Sequence, residues 1–536
     1  MNRDTVLPRQ RRVAKLASPP FVLALAYALL STAWVMGNPP GAAPDESAHY
    51  RKALAVAAGE PEGRRAVVPP SPSDTQQSAW LKRTASAVEV PAGLSPQGLE
   101  CHAQKAEESA RCQNAVQPVD RPMIELTHMG RAHPTAYLLP GLLARMGDGP
   151  FAAMRLGRAG NLLTSLLLLC AAIALLWDTR IGRLSIVGLL PAVTPMALFL
   201  AASLTPSGPE VASGICFLSA LLRLTRRDSA STWAWVALGL SGTLLATSRS
   251  LGPIWVVLAV VMVVTSSGVK HSWLVCRTAG KRSVWSLGAV ALAVVLSVTW
   301  AAVVEPGMSV TRAAIRGAVL PSWQDIPSVF RQVIGTFGAL ETWMPEIAYK
   351  LWWSAGGALC VLALLLGSWR DRAVLVMVGA GSLGMTMLVS VVNMAVSGYG
   401  MQGRYVLPLL VAVPLLAGET VVRRRHRLPG MAQELLVAGL LVVAGTLNAL
   451  GWYANARRSS IGIDGSWLFV TRSEWSPPGG WYPWLAMVGM ATSVLMLHAL
   501  QSVLARESHA YRRPLLATDE VPVGRAGRRR RRTLPA

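Results

Sequence analysis

Apolar and polar stretches alternate along the chain with the period of a protein that crosses a membrane many times. Apolar segments at 20–36, 154–177, 184–204, 211–224, 284–304, 351–367, 373–396 and 435–452 approach the length that one bilayer crossing requires. The stretch 233–265 reads as two more, hinged at Arg249-Ser250-Leu251-Gly252-Pro253, and two further spans follow Tyr405 and Pro483. The count is about twelve helices. The short connections on one side all carry clustered cations: Arg180 and Arg183; Arg223, Arg226 and Arg227; Lys270, Arg277, Lys281 and Arg282; Arg370 and Arg372; Arg423 to Arg425 and Arg427. Cations concentrate in cytoplasmic loops, so these define the inner side and place both termini in the cytoplasm.

The same alternation sets the organisation. A basic leader, 1–19, precedes a multi-span domain, 20–504, and a disordered basic tail, 505–536, follows it. The first apolar run has no small-residue cleavage site and reads as a span rather than a removable signal. Three polar stretches fall on the outer side: a long first loop at 37–150, then 305–350 and 453–483. The apolar run 137–143 is a candidate re-entrant helix. The expected fold class is an all-α polytopic membrane protein with a long extracytoplasmic first loop.

Composition sharpens this. Only 15% of residues are charged, against about 25% in soluble domains. The net charge of +23 lies in the inner loops and in the tail around Arg528 to Arg532, so it reads as a topology signal rather than a nucleic-acid surface. The 19 tryptophans suit membrane interfaces. Of six cysteines, Cys101 and Cys112 share the first outer loop and are expected to form a disulfide in an oxidising compartment.

Topology sorts the polar residues by side, and the distinctive ones fall outside. Just after the first span, Pro44 looks like the first residue of a helix, with Asp45 and Glu46 in its first turn and Asp45 and His49 on one face. Two acids and an imidazole at a membrane mouth suit general-base work, and Asp45 and Glu46 could hold a divalent metal such as magnesium or manganese; no cofactor is required by the pattern. Also outside are His133, Arg155 and Arg158 (read as anchors of the second span), Glu210, Arg249, Gln402, Arg404, Tyr405, Arg457 and Arg458. Arginines converging on acids at headgroup depth suit a polyprenyl-phosphate headgroup, which guanidinium groups grip through paired hydrogen bonds.

The string Asn38-Pro-Pro … Pro44-Asp-Glu-Ser-Ala-His49 resembles the first-loop signature of a bacterial membrane family, domain-of-unknown-function family 2142. So do Ile334-Gly-Thr-Phe-Gly338-Ala-Leu-Glu341, Arg249-Ser-Leu-Gly-Pro253, Gln402-Gly-Arg-Tyr405, and Asn455-Ala-Arg-Arg458 with Trp475-Ser-Pro-Pro478. Two departures are Glu341, where the family more often has Asp, and Thr205 to Glu210, where relatives tend to carry Asn-Pro. That family is similar to the GT-C class of glycosyltransferases. The resemblance implies an inverting glycosyltransferase in a bacterial plasma membrane, using a polyprenyl-phosphate-linked sugar and an envelope glycan or glycolipid acceptor. Asp45 is then the candidate base, Glu46 and His49 its supports, and Arg249, Arg404, Arg457 and Arg458 the phosphate ligands. His133, Glu210, Glu341, Gln402 and Tyr405 form a supporting set. The alternatives are a transporter or flippase of a lipid-linked intermediate, favoured by charges buried mid-span, and a non-catalytic envelope scaffold, favoured by an Asp45 facing solvent with no cavity beside it.

Overall fold

The computed structural model describes residues 18–226, 231–305 and 310–512, and side chains up to residue 504. The basic leader before residue 18 and the arginine-rich tail after residue 512 lie outside the described residues. Long helices dominate: α1 (Pro19–Gly37), α5 (Pro150–Leu176), α8 (Ser207–Leu224), α9 (Thr232–Ser248), α10 (Gly252–Ser267), α12 (Lys281–Val303), α14 (Glu346–Leu366), α15 (Trp369–Ser397), α18 (Gly430–Ile461) and α19 (Tyr482–Arg512). They pack around one continuous apolar core in which α5 lies on α8, α8 on α9, and α19 on both α18 and α1.

Among the described residues, seven helices are long and apolar enough to cross a membrane, or up to nine when two bent pairs are each taken as one span. The twelve expected segments include stretches that the backbone breaks. The expected third span, 184–204, is interrupted between α6 (Leu189–Ala192) and α7 (Pro195–Ala201), because a proline at 195 cannot continue the preceding helix; the pair bends by 75°. Past Tyr405 the apolar run is split into α16 (Leu407–Leu410) and α17 (Ala412–Arg423). Helix α11 (Val269–Ala279) turns 107° away from α10, and none of its residues is buried.

The stretch 305–350, expected as a loop, is largely helical. Its α13 (Arg312–Gly335) runs on through Pro321 and Pro327 and packs against α7 and α15. Charged residues at positions 312, 316, 325 and 331 disguise it in a hydropathy reading.

The first polar loop is a small mixed unit. It holds α2 (Glu46–Ala57), α3 (Gln76–Thr84), α4 (Leu138–Ala144) and an antiparallel sheet in the order β1 (Arg64–Arg65), β2 (Ser86–Val90), β3 (Met123–Thr127). Residue Ser86 faces Thr127 and Val90 faces Met123 across β2 and β3. The unit is docked rather than tethered: the Gln76 and Gln77 side-chain amides donate to the carbonyls of Met394, Ala395 and Gly398 at the end of α15.

One ion pair fixes α2 to the bundle. Arg158, on α5, is fully buried and was expected only as a span anchor. Its five N–H groups all find acceptors: both oxygens of Glu46, at 2.7 and 2.6 Å, and the carbonyls of Val35, Asn38 and Pro39 at the end of α1. Glu46 also accepts from the backbone N–H groups of Gly41, Ala43 and Leu204. Gly41 has φ +79, a conformation that favours glycine, and a Cβ there would meet the Leu99 backbone at 3.2 Å. Removing one member of such a pair leaves a buried charge without a partner, at a cost of about 3–5 kcal/mol. Arg158→Met, which keeps the volume, should therefore lower the thermal midpoint of the purified protein and its level in membranes. An unchanged midpoint would show that the pair does not hold the loop to the bundle.

Candidate active site

Asp45 caps α2 in a left-handed backbone conformation (φ 58), one residue before the helix begins, rather than sitting inside its first turn. Asp tolerates this region better than most residues. The geometry turns its carboxylate away from Glu46 and toward a cavity of about 570 Å³, lined by Asp45, Arg51, Lys82, Glu100, Thr127 and His128 among others. Asp45 is 30% exposed there.

Arg404 stands behind Asp45. It is fully buried, and its guanidinium bonds Asp45 Oδ2 through one nitrogen and the Pro44 carbonyl through another, at 2.8 Å for the latter. Its Nε has no partner. The short turn Gly403–Tyr405 that carries it is held by α13: Gln332 accepts from the Gly403 N–H at 2.8 Å, and a Cβ at Gly403 would meet the Val329 carbonyl oxygen at 2.7 Å. Tyr405 lies between two cations, with Arg249 4.4 Å and Arg404 5.3 Å from its ring centre. Arg249 also donates to Ser207 Oγ at 2.7 Å. Glu210 is buried near by, feels the charges of Arg249 and Arg404, and has the Trp255 side chain as a polar neighbour, outside full hydrogen-bond geometry. Gln402 caps the Arg404 turn with its side-chain oxygen buried and unpartnered.

Two histidines flank the acid. His49 is buried on α2 and shares a 2.8 Å hydrogen bond, through Nδ1, with the Tyr137 hydroxyl; its Nε2 has no partner. Burial first, then the charge of Arg404, holds His49 well below the usual histidine range, so it stays neutral. His128, the residue after β3, places Nε2 3.6 Å from Asp45 Oδ1. Burial alone would raise the Asp45 carboxyl, but Arg404 foremost, with His128 beside it, outweighs this and holds the group well below the usual carboxylate range.

The remaining expected site residues lie elsewhere. Arg458 pairs with Glu341 at 2.7 Å and donates to the carbonyls of His102 and Lys105, which pins the disulfide loop to α18. Burial pushes the Glu341 carboxyl up despite that partner. Arg457 stacks on Trp467, 4.2 Å from its ring centre. Neither arginine pairs with Asp45 among the described contacts; Asp45 is held by Arg404. His133 packs its ring against Trp300. Cys101 and Cys112 are joined by a disulfide.

Asp45 and Glu46 do not fit a divalent metal, since each carboxylate already faces a guanidinium. Among the described residues, the cluster with metal-ligand spacing is Cys101, His102 and Cys112, two of which form the disulfide. His128 and Tyr137 were missed by sequence reasoning, and Arg158 was given too small a part. His128 follows a five-residue strand with no motif around it, so only the fold brings it to Asp45.

A second, apolar groove of about 280 Å³ lies inside the bundle. Phe330, Trp352, Trp353 and Leu383 line it together with Leu407 and Leu410, one to two helical turns past Arg404. The cation and the groove are thus adjacent along one short segment.

Helices of this length and number, meeting a polar centre at one end, define a helical membrane protein. The chain belongs to the family described as "Predicted membrane protein (DUF2142)", whose model matches residues 28–413. No curated protein matches the chain. Among solved structures, ArnT from Cupriavidus metallidurans in the apo state is similar at 16% identity over 73% of this chain and 71% of that one, with a TM-score of 0.33.

Thiol tagging checks the loop that frames this site. Denatured without reductant, the protein should accept mass tags on no more than four of its six cysteines, and after reduction on all six. Six tags before reduction would show that Cys101 and Cys112 are free.

Proposed function

We propose that this protein is a glycosyltransferase of the bacterial plasma membrane, moving a sugar from a polyprenyl-phosphate donor to an envelope glycan or glycolipid on the extracytoplasmic side. The observation that carries the reading is the Asp45–Arg404 pair: Asp45 lines a polar cavity, and its partner Arg404 stands three residues before Leu407, which lines an apolar groove. A polyprenyl-phosphate sugar has the same three parts in the same order, a polar sugar, an anionic phosphate and an apolar chain.

The phosphate is received by Arg249 and Arg404, the two cations that share the Tyr405 ring. These cations stabilise the phosphate as it departs with the bonding electron pair. The apolar chain occupies the groove past Leu407 and Leu410, and the acceptor hydroxyl enters through the cavity and gives its proton to the Asp45 centre. The orientation, with both termini cytoplasmic, rests on the cationic loops: Arg226 and Arg423 gather on Glu419, and Arg424 on Asp371, at loops assigned to the inner side. The long first loop, 37–150, and the loops 305–350 and 453–483 then form the outer face of a membrane domain spanning 20–504.

Buried Glu210 is the observation that favours the transporter reading. It stands in the first turn of α8, at the mouth rather than in mid-span, which suits a site better than a path.

Comparing glycans and lipid-linked sugar pools between wild type and Asp45→Asn, at equal protein level, tests this. Loss of a sugar from the glycan with accumulation of its polyprenyl-phosphate donor is expected. Unchanged pools in Asp45→Asn, alongside a defect in the deletion strain, would remove the transferase reading.

A further inference from the structure

Asp45 is well placed to touch an acceptor yet poorly suited to take its proton. One oxygen is held by Arg404 and the other faces His128. A carboxylate between two such partners stays ionised and has little tendency to become protonated during transfer.

His128 has the complementary properties. It lines the polar cavity beside Asp45, with 17% of its side chain exposed. Its position is fixed from behind: Thr127 donates through Oγ1 to the Ala48 carbonyl at 2.9 Å and accepts from the Met129 N–H at 3.1 Å. The Trp80 ring packs 5.7 Å from the imidazole. Nε2 points to Asp45, which favours the N–H there, and Nδ1 makes no hydrogen bond among the described residues. A neutral imidazole so arranged presents a lone pair on Nδ1, and imidazole is the side chain that most often serves as a general base. The 3.6 Å separation from Asp45 is longer than a hydrogen bond, as such contacts often are before substrate binds.

We infer that His128 is the proton acceptor of this site, and that Asp45 is a positioning residue that orients the imidazole and offsets its charge. The inference rests on the transferase reading. As the acceptor oxygen bonds the anomeric carbon, its proton passes to His128 Nδ1. The anomeric carbon–phosphate oxygen bond breaks, and the phosphate leaves with the electron pair toward Arg404 and Arg249. The imidazolium, paired with Asp45, then returns the proton to water. Facing His128 are Asp45 and His49, Arg51 from α2, Lys82 from α3, Glu100, and Arg404 behind Asp45.

The test uses membrane vesicles that carry their own donor and acceptor, from a deletion strain expressing each variant, with radiolabelled sugar chased from the lipid-soluble pool into glycan. His128→Gln should slow transfer by a hundredfold or more, roughly the contribution of a general base. His128→Ala should be as slow and should be partly rescued by added imidazole. In Asp45→Asn transfer should also fall, and Asp45→Glu should restore part of it, because a carboxylate again faces His128 Nε2. Transfer in His128→Gln within a few-fold of wild type would overturn the assignment while leaving the transferase reading intact. Loss in His128→Ala without imidazole rescue would also overturn it by making His128 structural. Equal labelling in deletion and wild-type vesicles would overturn both.

Discussion

The buried pair of Glu46 and Arg158 is the constraint on which the rest of the site depends. Two charges at full burial cost several kcal/mol each to desolvate, and only complete hydrogen bonding offsets this. Here every guanidinium N–H and both carboxylate oxygens are satisfied. The partners come from four places: the end of α1, the turn at Gly41, α5, and the backbone at Leu204. A loop of more than a hundred residues is thereby held in one register at its first helix. Because Asp45 immediately precedes Glu46, fixing one carboxylate aims the other.

That division of labour explains why two adjacent acids behave differently. Glu46 faces inward and is spent on architecture. Asp45 takes a left-handed backbone conformation at the helix cap, which swings it about the chain into the cavity. The cost of that conformation is met by the pair with Arg404 and by the fixed helix behind it. Around this centre the cations are layered. Arg404 and Arg249 lie on the bundle side and share Tyr405, while Arg51 and Lys82 lie on the loop side, paired with Glu125 and Asp74. On the bundle side, Arg404 is paired with Asp45, whereas Arg249 makes no ion pair among the described residues and bonds Ser207.

Much of the scaffold was legible because hydropathy reports burial directly. The helices α1, α5, α12, α14, α15, α18 and α19 coincide with apolar runs in the sequence. Legibility failed where polar residues sit in helices, as in α13, and where prolines break an apolar run, as between α6 and α7. At the site, topology alone brings Asp45 and Arg404 to one end of the bundle, since each follows or precedes a span there. It could not assign Glu46 to Arg158, because that requires knowing which way the helix faces. Nor could it separate Arg404 from Arg458, which answer to different acids. His128 was invisible for a related reason: it reaches Asp45 through a strand register, 83 positions along the chain.

Binding of a polyprenyl monophosphate bears most directly on the claim that Arg404 marks the junction of headgroup and chain. Purified wild-type protein and Arg404→Gln, compared by native mass spectrometry against that lipid and against the matching polyprenyl alcohol, would measure it. The account predicts that wild type prefers the phosphate over the alcohol, and that Arg404→Gln loses that preference by about tenfold or more, as expected for one charge-assisted contact. Equal retention of the phosphate lipid by both proteins would contradict it.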